Sequence, residues 1–235
     1  ESFTYDVTAP TSTTAVESVD GTGNANDADV VTITLDPSET VGTPTCTFTD
    51  GIGAMEDTTV DYDTTGDDSH TAQVTVHNDD DDGAVGFSCT YADLAGNDIA
   101  SAITVATSGA VEIDNTHPSI SSVTFDSGDY VNNAEDESAI NLVIVTSGAE
   151  DTETVTATLN GADYTCDLTS NSCTASISSA ALKALTDGTS YTFSVTVSDT
   201  AGNAATANTD ESFTYDVTAP TSTTAVESVD GTGNA

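Results

Sequence analysis

Residues 1 to 25, ESFTYDVTAPTSTTAVESVDGTGNA, recur letter for letter as residues 211 to 235, so the chain carries a repeat with a period of 210 residues. Self-similarity at a fixed period marks a repeat architecture, and it limits the fold to units that can follow one another along a chain. A weaker echo lies inside the period. Asp6-Val7-Thr8-Ala9-Pro10, Asp114-Asn115-Thr116-His117-Pro118 and Asp216-Val217-Thr218-Ala219-Pro220 all read Asp-x-Thr-x-Pro. Each half also holds one Asp-x-Ala-Gly-Asn, at Asp93 to Asn97 and at Asp199 to Asn203. Two diverged units of one plan therefore alternate. Residues 1–9 are expected to close a preceding unit, 10–117 to form the first complete one, 118–219 the second, and 220–235 to open the next.

Between these motifs apolar residues recur with period two. Val31, Ile33 and Leu35 share a face, as do Cys46 and Phe48; Ala72, Val74 and Val76; and Val85, Phe87, Cys89 and Tyr91. The second half repeats the pattern with Ile140, Leu142 and Ile144; Val155, Ala157 and Leu159; Tyr191, Phe193, Val195 and Val197; and Phe213, Tyr215 and Val217. β-Branched and aromatic residues in strict alternation fit a pleated, half-buried surface. Short runs of this kind, divided by Gly, Asp and Asn, predict antiparallel sandwiches of about 100 residues each. Only Ser179 to Leu185 reads as a turn or two of helix, stopped by Asp187-Gly188.

Charge narrows the function. Forty Asp and Glu face one basic residue, Lys183, for a formal net charge of −39. Such a chain repels nucleic acid and anionic membranes, so neither is expected as a partner through charge. No run of 18 apolar residues and no signal-peptide pattern occurs, so direct membrane insertion by this segment is not expected. The 36% of apolar residues, arranged in strand-like runs, argue against disorder. His70, His77 and His117 sit in acidic turns or a linker, with no Gly-x-Ser-x-Gly, His-x-x-x-His or phosphate loop near them. Without a catalytic constellation, the expectation is a protein that is not an enzyme.

The acidic turns are the informative polar feature. Asp20 to Asp29 alternates oxygen-bearing and small residues, and Asn78-Asp79-Asp80-Asp81-Asp82-Gly83 has the N-x-D-x-D-G opening of a calcium loop. Neither has the closing glutamate of a helix-loop-helix site, Cys89 taking that place in the second, which leaves a looser oxygen cage for calcium. The competing reading is solvated acidic turns that maintain solubility.

SYTFSVTVSDTAGN (190–203) followed by YDVTAPT (215–221) resembles the closing strands of the bacterial immunoglobulin-like domains strung together in giant surface adhesins. The likeness extends to both halves. It implies an all-β fold of tandem immunoglobulin-like antiparallel β-sandwiches in an end-to-end array. It also implies an extracellular or cell-surface location, neighbouring repeats as partners, and an unknown target at a distal tip. The function it implies is a calcium-stiffened extender of an adhesin or surface filament. Two rivals stand beside it. One is a self-assembling filament subunit joined by donor-strand addition, with residues 1–9 as the orphan strand. The other is an accessory module of a secreted enzyme, disfavoured by the undrifted copy.

Sandwich topology sets the loop between the last two strands beside the incoming linker. One linker is then expected to gather Asp20, Asp27, Asp80, Asp82, Asp114, Asp199 and Asn203 around calcium. The next is expected to gather Asp126, Asp129, Asp187 and Asp216 with Asp93 and Asn97 of the following copy. Two departures from extender domains of this kind are the acidic run at Asn78 and the four cysteines. An even set in an extracellular chain predicts disulfides, Cys46 with Cys89 and Cys166 with Cys173, the latter stapling a hairpin.

Overall fold

The computed structural model describes residues 5–18, 21, 23–55, 61–64 and 69–223. The first half is built from β1 (Ser12–Ser18), β2 (Asn24–Ala25), β3 (Val30–Pro37), β4 (Thr45–Thr49), β5 (Asp61–Thr64), β6 (His70–Thr75), β7 (Gly83–Ala84), β8 (Gly86–Thr90) and β9 (Glu112–Ile113). One sheet has the antiparallel order β1-β3-β6-β5. Facing it are β4 paired with β8, and β9 lying between β2, its parallel neighbour, and β7, its antiparallel one. Val31, Ile33 and Leu35, with Ala72 and Val74, meet Phe48, Phe87, Cys89 and Ile113 in one buried cluster. Each large aliphatic or aromatic side chain removed from water in this way contributes about 1.5–3 kcal/mol.

The second half repeats the plan with β10 (Ser119–Phe125), β11 (Tyr130–Val131), β12 (Ile140–Ser147), β13 (Thr154–Leu159), β14 (Ala162–Asp167), β15 (Ser172–Ile177), α1 (Ser179–Leu182), β16 (Thr189–Thr192), β17 (Ser194–Thr196) and β18 (Ser212–Tyr215). The sheet β10-β12-β15 faces β14-β13-β17 and β11-β18-β16. Between them lies a second buried cluster that includes Phe125, Leu142, Ile144, Leu159, Ile177, Leu182, Phe193 and Phe213. The Phe125 ring centroid is 4.8 Å from that of Phe213 and 5.1 Å from that of Phe193. The Ser178 side chain caps α1 by accepting the Ala181 N–H, and the single turn buries Leu182.

The long closing strand expected in each half is broken in both by one residue. Val85 separates β7 from β8 and gives its N–H to the Val111 carbonyl; Phe193 separates β16 from β17 and gives its N–H to Glu211. The break lets one strand pair with two partners at different heights. The halves differ in their fourth strand. β5 pairs with β6, whereas β14 pairs with β13 in the opposite sheet. Asn160 and Gly161, at φ 49° and 78°, form the two-residue turn that folds β14 back onto β13.

That turn corrects one expectation. Cys166 is bonded to Cys173, but β14 and β15 belong to different sheets, so the bond closes a corner between sheets rather than stapling a hairpin. Cys46 is bonded to Cys89 directly opposite it on the β4–β8 ladder, with Cα atoms 4.1 Å apart. Cys89 exchanges both backbone hydrogen bonds with Ile103 on its other side. Toward Cys46 it is therefore a non-hydrogen-bonded pair, where strands approach most closely.

Candidate linker site

Each Asp-x-Thr-x-Pro begins as a turn in which the Asp carboxylate accepts the N–H two residues on. Asp6 accepts Thr8 N–H at 2.9 Å, Asp114 accepts Thr116 at 3.0 Å, and Asp216 accepts Thr218 at 3.1 Å. Each Asp-x-Ala-Gly-Asn folds equally tightly. The Asp93 carboxylate accepts both the backbone N–H of Asn97, at 2.8 Å, and its side-chain amide, at 2.7 Å. Asp199 and Asn203 repeat this at 2.8 and 3.0 Å. Gly96 and Gly202, at φ 91° and 96°, supply the left-handed backbone that the loop requires.

These two motifs meet twice. The Asn97 Nδ2 donates to the Asp6 carbonyl at 3.2 Å, and the Asn203 Nδ2 donates to the Asp114 carbonyl at 2.7 Å. A third residue grips two of the linkers from the other side. Asp82 accepts Asn115 N–H at 2.7 Å together with the Thr116 hydroxyl, and Asp187 accepts Val217 N–H at 2.8 Å together with the Thr218 hydroxyl. Those bonds hold the Asp187 carboxyl below its usual range, the Thr218 hydroxyl contributing most.

Carboxylates crowd both places. One ligand oxygen from each of Asp6, Glu39 and Asp93 lies within 4.8 Å of the others, in a hollow also lined by Thr40, Leu94 and Ala95. Desolvation, then the charges of Asp6 and Asp93, push the Glu39 carboxyl up, while the Asn97 side chain and N–H hold Asp93 down. At the inner linker, partial burial pushes Asp114 up; Asp199, Asp82 and Glu150 add to this and the Thr116 N–H opposes it. Glu150 is tied there by Thr200, whose N–H it accepts at 3.0 Å.

The trio suits a hard cation. Calcium takes carboxylate oxygens at about 2.3–2.6 Å, so two ligands across its shell stand up to about 5 Å apart, which matches this spacing. The Asp93 oxygens already accept hydrogen bonds, yet each carboxylate oxygen offers a second lone pair.

The expected site residues are distributed as follows. Asp82, Asp114, Asp199 and Asn203 meet at the inner linker, where the Asn115 side chain also donates to the carbonyls of His77 and Asp80. Buried Asp80 accepts the His77 N–H at 2.8 Å, and Asp27 accepts the Asn78 N–H at 3.1 Å, both within the acidic loop beside that linker. Asp93 and Asn97 lie against Asp6, the residue whose copy is Asp216. Asp126 and Asp129 take part through their backbones, Asp126 donating to Asn141 and Asp129 accepting from Thr214. Asp20 lies outside the described residues. Asp6, Glu39 and Glu150 were missed by sequence reasoning. Aligning the halves finds the glutamates, because both follow the strand that leads each sandwich's central pairing, β3 or β12.

No protein-family model matches the sequence, and no curated protein matches it. Among solved structures, a Ca2+-stabilized adhesin that helps an Antarctic bacterium reach out and bind ice aligns with 91% of this chain at 22% identity and a TM-score of 0.51. The chain spans half of that structure's length, 50%. A marsupial T cell receptor aligns with 90% of the chain and 76% of its own at 12% identity and the same TM-score, 0.51. A bacterial immunoglobulin-like domain from the M. primoryensis ice-binding adhesin aligns with 41% of this chain and 96% of its own, at 26% identity and a TM-score of 0.31. The fold of the chain is accordingly the all-β immunoglobulin-like sandwich.

Proposed function

We propose that this chain is an extender element of a long extracellular adhesin or surface filament, with sandwiches at 10–117 and 118–219 joined by linkers that calcium stiffens. The observation that carries this reading is the Asp6, Glu39 and Asp93 group, in which a linker carboxylate stands beside two loop carboxylates. Empty, such a group repels itself. Filled, it gains oxygen contacts to one ion, and the linker and the sandwich behind it become one body. The affinity expected of extracellular modules is about 10⁻⁴ to 10⁻³ M. Two hydrophobic clusters, each between its own sheets, support the division into two sandwiches. Both disulfides suit an oxidising exterior. An adhesin and a T cell receptor as structural neighbours support a non-enzymatic role whose partners are adjoining repeats and a surface target at a distal tip.

Small-angle scattering from a protein of several repeats tests it. Calcium should give a longer, stiffer particle than chelator, and magnesium at equal strength should do less, because it demands a tighter octahedron. Asp114→Asn with Asp216→Asn should abolish the response. Extension by monovalent salt alone, or a calcium response intact in that double variant, would defeat the reading.

A second reading is joining by donor-strand addition. Tyr5 and Val7 are 81% and 66% exposed, whereas the same residues in the later copy, Tyr215 and Val217, are buried and part-buried. Sedimentation that found head-to-tail oligomers of this chain would favour it; a monomer would exclude it.

A further inference from the structure

We infer that the far end of the second sandwich, around Asp187, Asp216 and Thr218, is a docking surface for the first sandwich of a second copy that continues this chain, in which Asp216 takes the place of Asp6 and its carbonyl receives the Asn97 carboxamide. The inference rests on the extender reading above for its copies in series, but it needs no cation.

The three linkers carry it. The inner one is gripped from both sides, by Asp82 on Asn115 and Thr116 and by Asn203 on the Asp114 carbonyl. Among the described residues each outer linker shows one grip. Asp216 to Thr218 has the grip from behind, in which Asp187 accepts Val217 N–H and the Thr218 hydroxyl. Asp6 to Thr8 has the grip from ahead, in which Asn97 donates to the Asp6 carbonyl. Residues 6–10 and 216–220 are the same five residues. Laid over one another, the two half-gripped linkers make a complete joint with the bonding of the inner one. Its forward grip comes from residues of a different copy.

The clamp is an amide on a carbonyl, both uncharged, so removing calcium leaves it in place. Asp93 and Asp199 act behind it as positioning residues. By accepting the other amide proton at 2.7 and 3.0 Å, they fix which way the carboxamide faces. One residue distinguishes the copy-to-copy joint. Leu94, 77% exposed on the clamping loop, stands where the inner joint has Thr200, so a neighbouring copy would cover an apolar side chain there.

The test uses two copies in one chain, made by continuing past Ala235 with residues 26–235 again. Dye pairs across the copy-to-copy linker and across the inner linker report distance distributions in chelator. Distributions in chelator narrower than those of the clamp variants are expected at both, with further narrowing on adding calcium. Asn97→Ala in the second copy should broaden the first and spare the inner linker, and Asn203→Ala should do the reverse. Asn97→Asp keeps the loop's size and should act like Asn97→Ala, with an unchanged urea midpoint showing that the sandwich is folded. Copy-to-copy distributions in chelator as broad in the wild type as in both Asn97 variants would overturn the clamp. Calcium-dependent stiffening, with Asn97 variants that match the wild type in chelator, would leave the extender reading standing alone; broadening in those variants with no response to calcium in the wild type would leave only the clamp.

Discussion

The Tyr215 hydroxyl donates a 2.6 Å hydrogen bond to Oδ2 of Asp136 and ties the last strand to the turn that precedes β12. Both residues are buried, at 4% and 3% exposure, and the Ser179 hydroxyl donates to the Asp136 carbonyl from α1. Serving that carboxylate, with burial adding, pushes the Tyr215 hydroxyl up to about 12. Tyr215→Phe should cost about 2 kcal/mol, because it deprives a buried carboxylate of its partner. The same change at Tyr5, in an identical sequence but exposed, should cost nothing measurable. Urea unfolding of the two variants checks this, and equal midpoints would contradict it.

Reduction should weaken the first sandwich more than the second. The Cys46–Cys89 bond closes a sequence separation of 43 residues and the Cys166–Cys173 bond one of 7. The chain-entropy model assigns about 4 kcal/mol to the larger loop and less to the smaller. Paired Cys→Ser variants, each pair removed in turn and unfolded in urea, separate the two contributions.

Acid should act in two steps. The raised carboxyls of Asp114 and Glu39 keep their protons in the folded chain at pH values where the unfolded chain has lost them. Stability therefore falls as pH rises through that window, from the ordinary carboxylate value to the raised one. Asp50, Asp93 and Asp187 are lowered, so their stabilisation is present above the ordinary value and lost as pH falls through the depressed ones. In chelator, acidifying from neutral should first raise the urea midpoint slightly and then lower it. Asp114→Asn should reduce the first step, and calcium should bind more weakly across it, since protons compete for the same oxygens.

Gly109→Ala should unfold or severely weaken the first sandwich. Gly109 sits at φ 79°, and a Cβ there would lie 2.0 Å from the Val16 carbonyl oxygen. The backbone of β1 would have to withdraw, and with it the bond from Val16 N–H to the Ser108 carbonyl. At Gly96, which has a similar φ of 91° but nothing within 4 Å of its Cβ, alanine should cost only the conformational strain, about 1–2 kcal/mol. Thermal melts of both variants distinguish contact from conformation.

Burial by alternation was legible in the sequence because it is local: Val31, Ile33 and Leu35, or Val155, Ala157 and Leu159, face inward as their spacing requires. β1 was not, since its Ser and Thr look like turn residues until β3 pairs with them along seven positions. Nor was β14, whose side chains are largely exposed and leave no apolar period to read. The linker motifs were visible as repeated strings, and the structure brings Asn97 to Asp6 and Asn203 to Asp114 through them. Glu39 escaped because it has no motif of its own, and only folding carries it to Asp93, 54 positions later in the chain.

The rung between Cys46 and Cys89 also decides how far the chain can be drawn out. A protein pulled by its two ends unfolds to its contour length, and the residues between two bonded cysteines add nothing to that length while the bond holds. A separation of 43 residues withheld in this way shortens each stretched repeat by about 150 Å. Reducing conditions would release that slack, so the length to which this chain can be stretched depends on the redox state of its surroundings.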